Sequence, residues 1–206
     1  MIYDIYLNLT VLFSWASYEH EISYVSAITL KEKLSSLELS FIFLDQDHTF
    51  YLIDAEKMDA KTFSSGTYKK EPQLNLSKGG FLQKSFFGSK TVQFERVLNL
   101  VHGADGEDAT LAALFDFYEI DYIGPRQDAS VVSFDKFMTK AYASACGSDT
   151  ISYELLSGQR DTKIALPFII KPTRLGSSIG VNIVKRAEDL DYALDVSYEF
   201  DNRLLI

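Results

Sequence analysis

Short apolar runs separated by stretches of helical periodicity constrain this chain more than any other feature. Residues 5–13 and 96–101 are almost continuously apolar, and residues 40–44, 50–53 and 121–123 are shorter runs of the same kind. Strands that are apolar on both faces need cover on both faces, which layered α/β architectures supply. Between the first two runs, Ile22, Val25 and Ile28 recur at helical spacing, so residues 17–34 read as a helix. Ser17 suits its N-cap, with Glu19 and Glu21 in the first turn. Residues 45–48 form a turn, and residues 56–90 are loop-rich, broken by Gly66, Pro72, Gly79-Gly80 and Gly88, with a hairpin expected inside them. The run 96–101 feeds His102-Gly103, then a helix over 107–119 and the strand 121–123. The pattern predicts an open parallel sheet with helices on both faces for residues 1–124.

Gly124-Pro125 marks the expected domain junction. Beyond it one helix is expected over 129–145, stopping at Gly147, then a strand at 168–171, a loop over 172–180, a strand at 181–184 and a helix over 187–195. Residues 203–206 begin a further strand, expected to present an exposed, aggregation-prone sheet edge where the sequence stops. No internal repeat is present. The 206 residues suffice for one large domain or two small ones, and 47% apolar with 24% charged content is ordinary for a globular protein.

The net charge of −9 argues against nucleic acid or an anionic membrane as partner. Of this, residues 1–124 carry −8 (10 basic, 18 acidic) and residues 125–206 only −1 (10 basic, 11 acidic), so the second part suits a polyanionic ligand better. No run reaches the roughly 18 apolar residues of a membrane span. The apolar start is broken by Asp4, Asn8 and Thr10 and lacks a basic leader and a small-residue cleavage site. Cys146 is the one cysteine, and with three scattered histidines it builds neither a disulfide nor a zinc framework. The expectation is a reduced, cytoplasmic protein.

Four segments could carry chemistry. Thr173-Arg174-Leu175-Gly176-Ser177-Ser178-Ile179-Gly180 lies between two expected strands and combines glycines, which let amides approach an anion, with hydroxyl donors. No Lys-Ser/Thr follows Gly180, so it is not a Walker loop, and the cation comes before it as Lys171-Pro172. An ordinary hairpin turn would have the same composition. His102-Gly103-Ala104-Asp105-Gly106-Glu107-Asp108 joins a strand to a helix, where open α/β sheets bind ligands, although a helix-capping turn reads the same way. Ser17-Tyr18-Glu19-His20-Glu21 repeats that arrangement. Asp135-Lys136 with Lys140 lies on a helix and, by itself, reads as solvated surface.

In order and together, these segments mean more. Glu19-His20-Glu21-Ile22-Ser23, His102-Gly103-x-x-Gly106-Glu107-Asp108, Ala129-Ser130 leading to Asp135-Lys136, and Lys171-Pro172 leading to Gly176-Ser177-Ser178-x-Gly180-Val181 resemble the D-alanine–D-alanine ligases of the ATP-grasp superfamily. The resemblance runs from about residue 11 to 206. It implies a pre-ATP-grasp domain over 1–124 and the first α+β half of an ATP-grasp domain over 125–206. It also implies an ATP- and Mg²⁺-dependent ligase making D-alanyl-D-alanine for peptidoglycan through an acyl phosphate, with D-alanine and ATP as partners, and it leaves room for a homodimer.

By the same resemblance, Lys136 and Lys171 hold ATP phosphates, and Gly176, Ser177, Ser178 and Gly180 cover the transferred phosphoryl group. Glu19 receives the first D-alanine's ammonium, and His102 lies near that substrate's carboxylate. Glu19, His102 and Ser177 are thus the expected catalytic residues. The family's Mg²⁺ ligands, and the arginine facing the tetrahedral intermediate, fall beyond residue 206, so these 206 residues alone are expected to be inactive. The alternative is a decayed, non-catalytic copy acting in binding or dimerisation.

Two departures from the family pattern stand out. Ser14-Trp15 replaces a Gly-Gly pair, putting an indole where a tight turn approaches substrate, and Ala109 stands where glycine is usual.

Overall fold

The computed structural model describes residues 8–14, 20–85 and 88–206, apart from the side chains of His20 and Glu21. It divides into two compact units, Met1–Gln127 and Asp128–Ile206.

In the first unit, β1 (Asn8–Ser14), α1 (His20–Lys33) and β2 (Glu38–Leu44) are followed by β3 (Phe50–Ile53) and α2 (Ala60–Ser64). Then come β4 (Gln73–Ser77), β5 (Gly80–Ser85), β6 (Gly88–Thr91), β7 (Arg96–Asn99), α3 (Thr110–Phe117) and β8 (Tyr122–Ile123). The strands form one sheet in the order β6-β5-β4-β3-β2-β1-β7-β8. From β2 through β1 and β7 to β8 the pairing is parallel, as expected. From β2 through β3, β4 and β5 to β6 it is antiparallel, so the expected hairpin is part of a longer meander and the sheet as a whole is mixed. The physical reason is connection length: a parallel return needs a crossover of a dozen or more residues, whereas the turn at Lys78-Gly79, with Gly79 at φ 78°, reverses the chain at once.

Alternation along the central strands explains the cover on both faces. Val11, Phe13, Phe41 and Phe43 point to one side and pack with Ala27 of α1 and Phe63 of α2. Leu12, Ile42 and Leu44 point to the other and pack with Leu111, Ala112 and Phe115 of α3. All of these side chains are buried, at about 25 cal/mol per Å² of apolar surface removed from water. The carboxyl ends of β1, β2 and β7 therefore lie along one edge, with β1 in the middle.

The second unit contains α4 (Gln127–Phe134, starting one residue before the division), α5 (Lys136–Ala145), β9 (Leu155–Leu156), β10 (Phe168–Pro172), β11 (Asn182–Val184), α6 (Leu190–Tyr198) and β12 (Leu204–Leu205). The single helix expected over 129–145 is two helices. Asp135 breaks it with extended backbone (φ −84°, ψ 112°), and its carboxylate caps α5 by accepting from the amides of Phe137 and Met138 at 2.9 and 3.2 Å.

The sheet order is β11-β10-β12-β9, and every pair is antiparallel. The expectation of an exposed edge at residues 203–206 is therefore corrected. β12 is an interior strand, with Leu204 and Leu205 buried between β10 and the short β9, which was not anticipated. Phe168, Ile170, Val184 and Leu204 pack on Ala193 and Leu194 of α6, leaving Ile169 and Ile183 adjacent on the opposite face.

Candidate functional site

The first unit positions its candidate loop at the carboxyl end of β7. The strand was expected to reach residue 101 but ends at Asn99, because that side chain replaces the ladder: its Oδ1 accepts from the Val101 amide at 3.1 Å and its Nδ2 donates to the Gly106 carbonyl at 3.0 Å. The loop folds so closely over the strand end that a Cβ on Gly106 would lie 1.9 Å from the Val101 carbonyl oxygen, so only glycine fits.

Glu107 ties the loop together. One carboxylate oxygen accepts from the Gly103 amide at 3.1 Å, and the other lies 3.8 Å from His102 Nδ1. His102 is half-buried, with the Glu107 carboxylate beyond hydrogen-bond distance of its Nδ1. Asp105 and Ala109 both take left-handed backbone, with φ 67° and 82°, and so α3 starts at Thr110 rather than 107. At Ala109 an L-residue is strained by about 1–2 kcal/mol, which is a local reason for the glycine that the resemblance led us to expect there.

Ser23, buried on α1, links the ends of two parallel strands. Its hydroxyl accepts from the Ser14 amide at 3.0 Å and donates to the Leu100 carbonyl at 2.7 Å. Of the other expected site residues in this unit, Glu19 lies outside the described residues, as do Trp15 and Ser17.

The second unit brings Lys136 to the Gly-Ser-Ser loop. The Lys136 ammonium donates to the Leu175 carbonyl, and its amide donates to the Thr173 carbonyl at 2.9 Å. Within the loop the Ile179 amide donates to the Gly176 carbonyl at 3.1 Å, and Ser177 and Ser178 are exposed with φ 49° and 60°. Two successive left-handed residues make this a tight turn, closed by the Ile179 amide on the Gly176 carbonyl and the Val181 amide on the Ser178 carbonyl at 3.3 Å. Gly180 (φ 67°) closes the loop where a Cβ would come within 2.8 Å of Pro172 and 2.9 Å of Phe200. Its carbonyl accepts from the buried Ser197 hydroxyl at 2.9 Å.

Two acids hold this loop in place, Asp135 of the Asp135-Lys136 segment and Asp201, which the sequence did not single out. Asp201 Oδ2 accepts from the Thr173 hydroxyl at 2.9 Å and the Arg174 amide at 3.0 Å. Asp135 Oδ2 lies 2.8 Å from Arg203 Nη1 and 3.3 Å from Arg174 Nε, and the Asp135 side chain is 5% exposed. Asp201 stands just before Asn202-Arg203, but nothing local says that it meets Thr173 and Arg174.

Lys171, half-buried on β10, lines a cavity of about 290 Å³ walled by Ile151, Phe168, Ile169, Leu205 and Ile206, with Lys140 also at its rim. Lys140 is no solvated surface residue: its ammonium donates to the Ile151 carbonyl at 3.2 Å and lies 5.1 Å from the centre of the Tyr153 ring. An apolar slot bordered by two ammonium groups suits a flat aromatic ring attached to a polyanion. Among the described residues no three His, Cys, Asp or Glu side chains converge as a metal site. None of the described helices is long and apolar enough to cross a membrane.

The family model for the D-ala D-ala ligase N-terminus matches residues 8–125, and that for the D-ala D-ala ligase C-terminus matches 139–206. The chain is 61% identical over 202 residues to the D-alanine--D-alanine ligase of Sulfurimonas denitrificans and 52% identical to that of Sulfurovum sp., covering 97% of this chain and 58% of each relative. The chain thus spans a little over half the length of these curated relatives. The crystal structure of D-alanine-D-alanine ligase from Helicobacter pylori superposes with a TM-score of 0.89 at 47% identity, covering 97% of this chain and 62% of that one.

Proposed function

The chain belongs to the D-alanine–D-alanine ligase family, and from that premise we propose that it carries the amino-terminal portion of an ATP-dependent enzyme joining two D-alanines for peptidoglycan. The two domains proposed are residues 1–124 for the amino acid and residues 125–206 as the first half of the ATP-grasp. The setting proposed is the cytoplasm, with a homodimer formed through the first unit.

In this reading a carboxylate oxygen of the first D-alanine attacks the γ-phosphorus of ATP, and ADP leaves. The amine of the second D-alanine then attacks the resulting acyl carbon, and the C–O bond to phosphate breaks. Lys136 and Lys171 offset charge on the phosphates, while Ser177, Ser178 and the backbone of Gly176 and Gly180 donate to the phosphoryl oxygens. Glu19 anchors the first ammonium group. His102 is proposed to stand beside that substrate's carboxylate. The cavity beside Lys171 and Lys140 takes the adenine, since its walls are apolar. Mg²⁺ is the proposed metal and would offset charge on the phosphates; among the described residues none group as its ligands. Produced alone, residues 1–206 are proposed to bind these ligands without turnover.

The observation carrying the reading is the bond from Lys136 to the Leu175 carbonyl, which ties a cation on α5 to the Gly-Ser-Ser turn. The test is D-alanine-dependent phosphate release from ATP by the protein isolated from its own cells, with its intact mass measured on the same sample. Release that is lost on Lys171→Met supports the reading. A mass well above 23.3 kDa without release refutes it.

A further inference from the structure

Two of the left-handed non-glycine residues meet at a point that the proposed reaction does not explain. His48 (φ 55°) is in the turn after β2, and Asp105 (φ 67°) is in the loop after β7 that carries His102. His48 Nε2 lies 3.1 Å from Asp105 Oδ2. The two strands are not neighbours, because β1 lies between them, so the pair reaches across the carboxyl end of β1.

Both ends of this bridge are built. Buried Asp45 shapes the His48 turn, its Oδ1 accepting from the amides of Asp47 at 3.0 Å and Thr49 at 2.9 Å, while the His48 amide donates to the Asp45 carbonyl at 3.1 Å. On the other side the Asp105 carbonyl accepts from the Leu111 amide at 2.9 Å, which couples the loop to α3. Strained backbone at two facing positions persists only where the surroundings enforce it, and it clusters where a segment must be held for function.

We propose that His48 and Asp105 form a clasp over the end of β1 that holds the loop 102–108 in its substrate-ready position. His48 acts here through Asp105 as a positioning residue and does not touch substrate. The consequence for D-alanine rests on the ligase reading above, whereas the clasp itself does not. The side chains are 66% and 20% exposed, so the pair is expected to hold the loop by a factor of about 3–5 in its opening equilibrium.

The test compares the chain with His48→Ala, His48→Gln and Asp105→Asn by amide exchange over residues 102–109, and by D-alanine affinity. Alanine is expected to raise exchange there about 3- to 5-fold and leave α6 unchanged, and glutamine, whose amide still donates, is expected to restore it. D-alanine binding should weaken by a similar factor in His48→Ala and recover in His48→Gln. Unchanged exchange in His48→Ala overturns the clasp, and so does a rise that glutamine fails to reverse. Faster exchange with unaltered D-alanine affinity overturns the positioning role while leaving the ligase reading intact. A parent chain that binds no D-alanine counts against the substrate reading, and the exchange data still decide the clasp.

Discussion

Replacing Asp135 with asparagine isolates what a single buried charge contributes to the second unit. The carboxylate has two separate jobs. Its Oδ1 accepts from the Phe137 and Met138 amides as the cap of α5, and its Oδ2 faces Arg203 at 2.8 Å and Arg174 at 3.3 Å. Asparagine caps a helix about as well as aspartate, so Asp135→Asn keeps the first job and removes the second.

The Arg203 pair carries most of the effect. Its guanidinium is 26% exposed against a 5% exposed carboxylate, and unit charges about 4 Å apart at an effective dielectric of about 20 interact by about 4 kcal/mol. Desolvation offsets roughly half of that. Arg174 is 60% exposed and adds less than about 1 kcal/mol. The expected loss is therefore about 2 kcal/mol for Asp135→Asn, and a further ~1 kcal/mol for Asp135→Ala, which also removes the cap.

In a unit the size of residues 128–206 a 2 kcal/mol loss lowers the melting point by about 10 °C. The assay is urea titration followed by amide exchange in α5 and in residues 173–180, with exchange in β1 and β2 as the internal control. An asparagine variant within about 0.5 kcal/mol of the parent refutes the argument that the arginine pairs stabilise the loop. An asparagine variant as unstable as alanine refutes the separation of cap from charge.

Three other outcomes are expected. Gly106→Ala places a Cβ 1.9 Å from the Val101 carbonyl, so the loop must move; a loss of at least 2 kcal/mol in the first unit is expected, and a thermal melt within 2 °C of the parent sinks the steric reading. Hydrogen bonds from Thr62 hold the Asp59 carboxyl below its usual range, the Arg186 guanidinium does the same for Asp189, and the Thr162 hydroxyl and Lys163 amide do so for Glu154. Such depressed carboxyls stabilise fully above their unfolded-state values and lose that contribution as pH falls through the folded ones, so stability should drop below about pH 4 and stay flat from pH 6 to 8; a melting point that does not fall on acidification contradicts this. Trp15→Gly is expected to tighten D-alanine binding by the protein, as calorimetry can show, and unchanged affinity removes the argument that the indole crowds the substrate.

Much of the fold was legible because its cause is local. Phe41 and Phe43 alternate with Ile42 and Leu44, and that period of two places the strand in a sheet covered on both faces, wherever its neighbours come from. The phosphate-binding role expected of the lysines and the Gly-Ser-Ser turn came from the resemblance to the family, because locally they read as surface and as a hairpin turn. Three features were not legible. The pairing of Asp135 with Arg203 joins residues 68 positions apart, and β12 lies in the sheet interior only because Leu155 and Leu156 come back to pair with it. The His48–Asp105 bridge spans 57 positions and a strand in between. The amino-acid sequence by itself determined the α/β class and the family. Tertiary structure alone decided how those residues are held, because ion pairs, glycine clearances and strand order depend on distances between segments that no local pattern encodes.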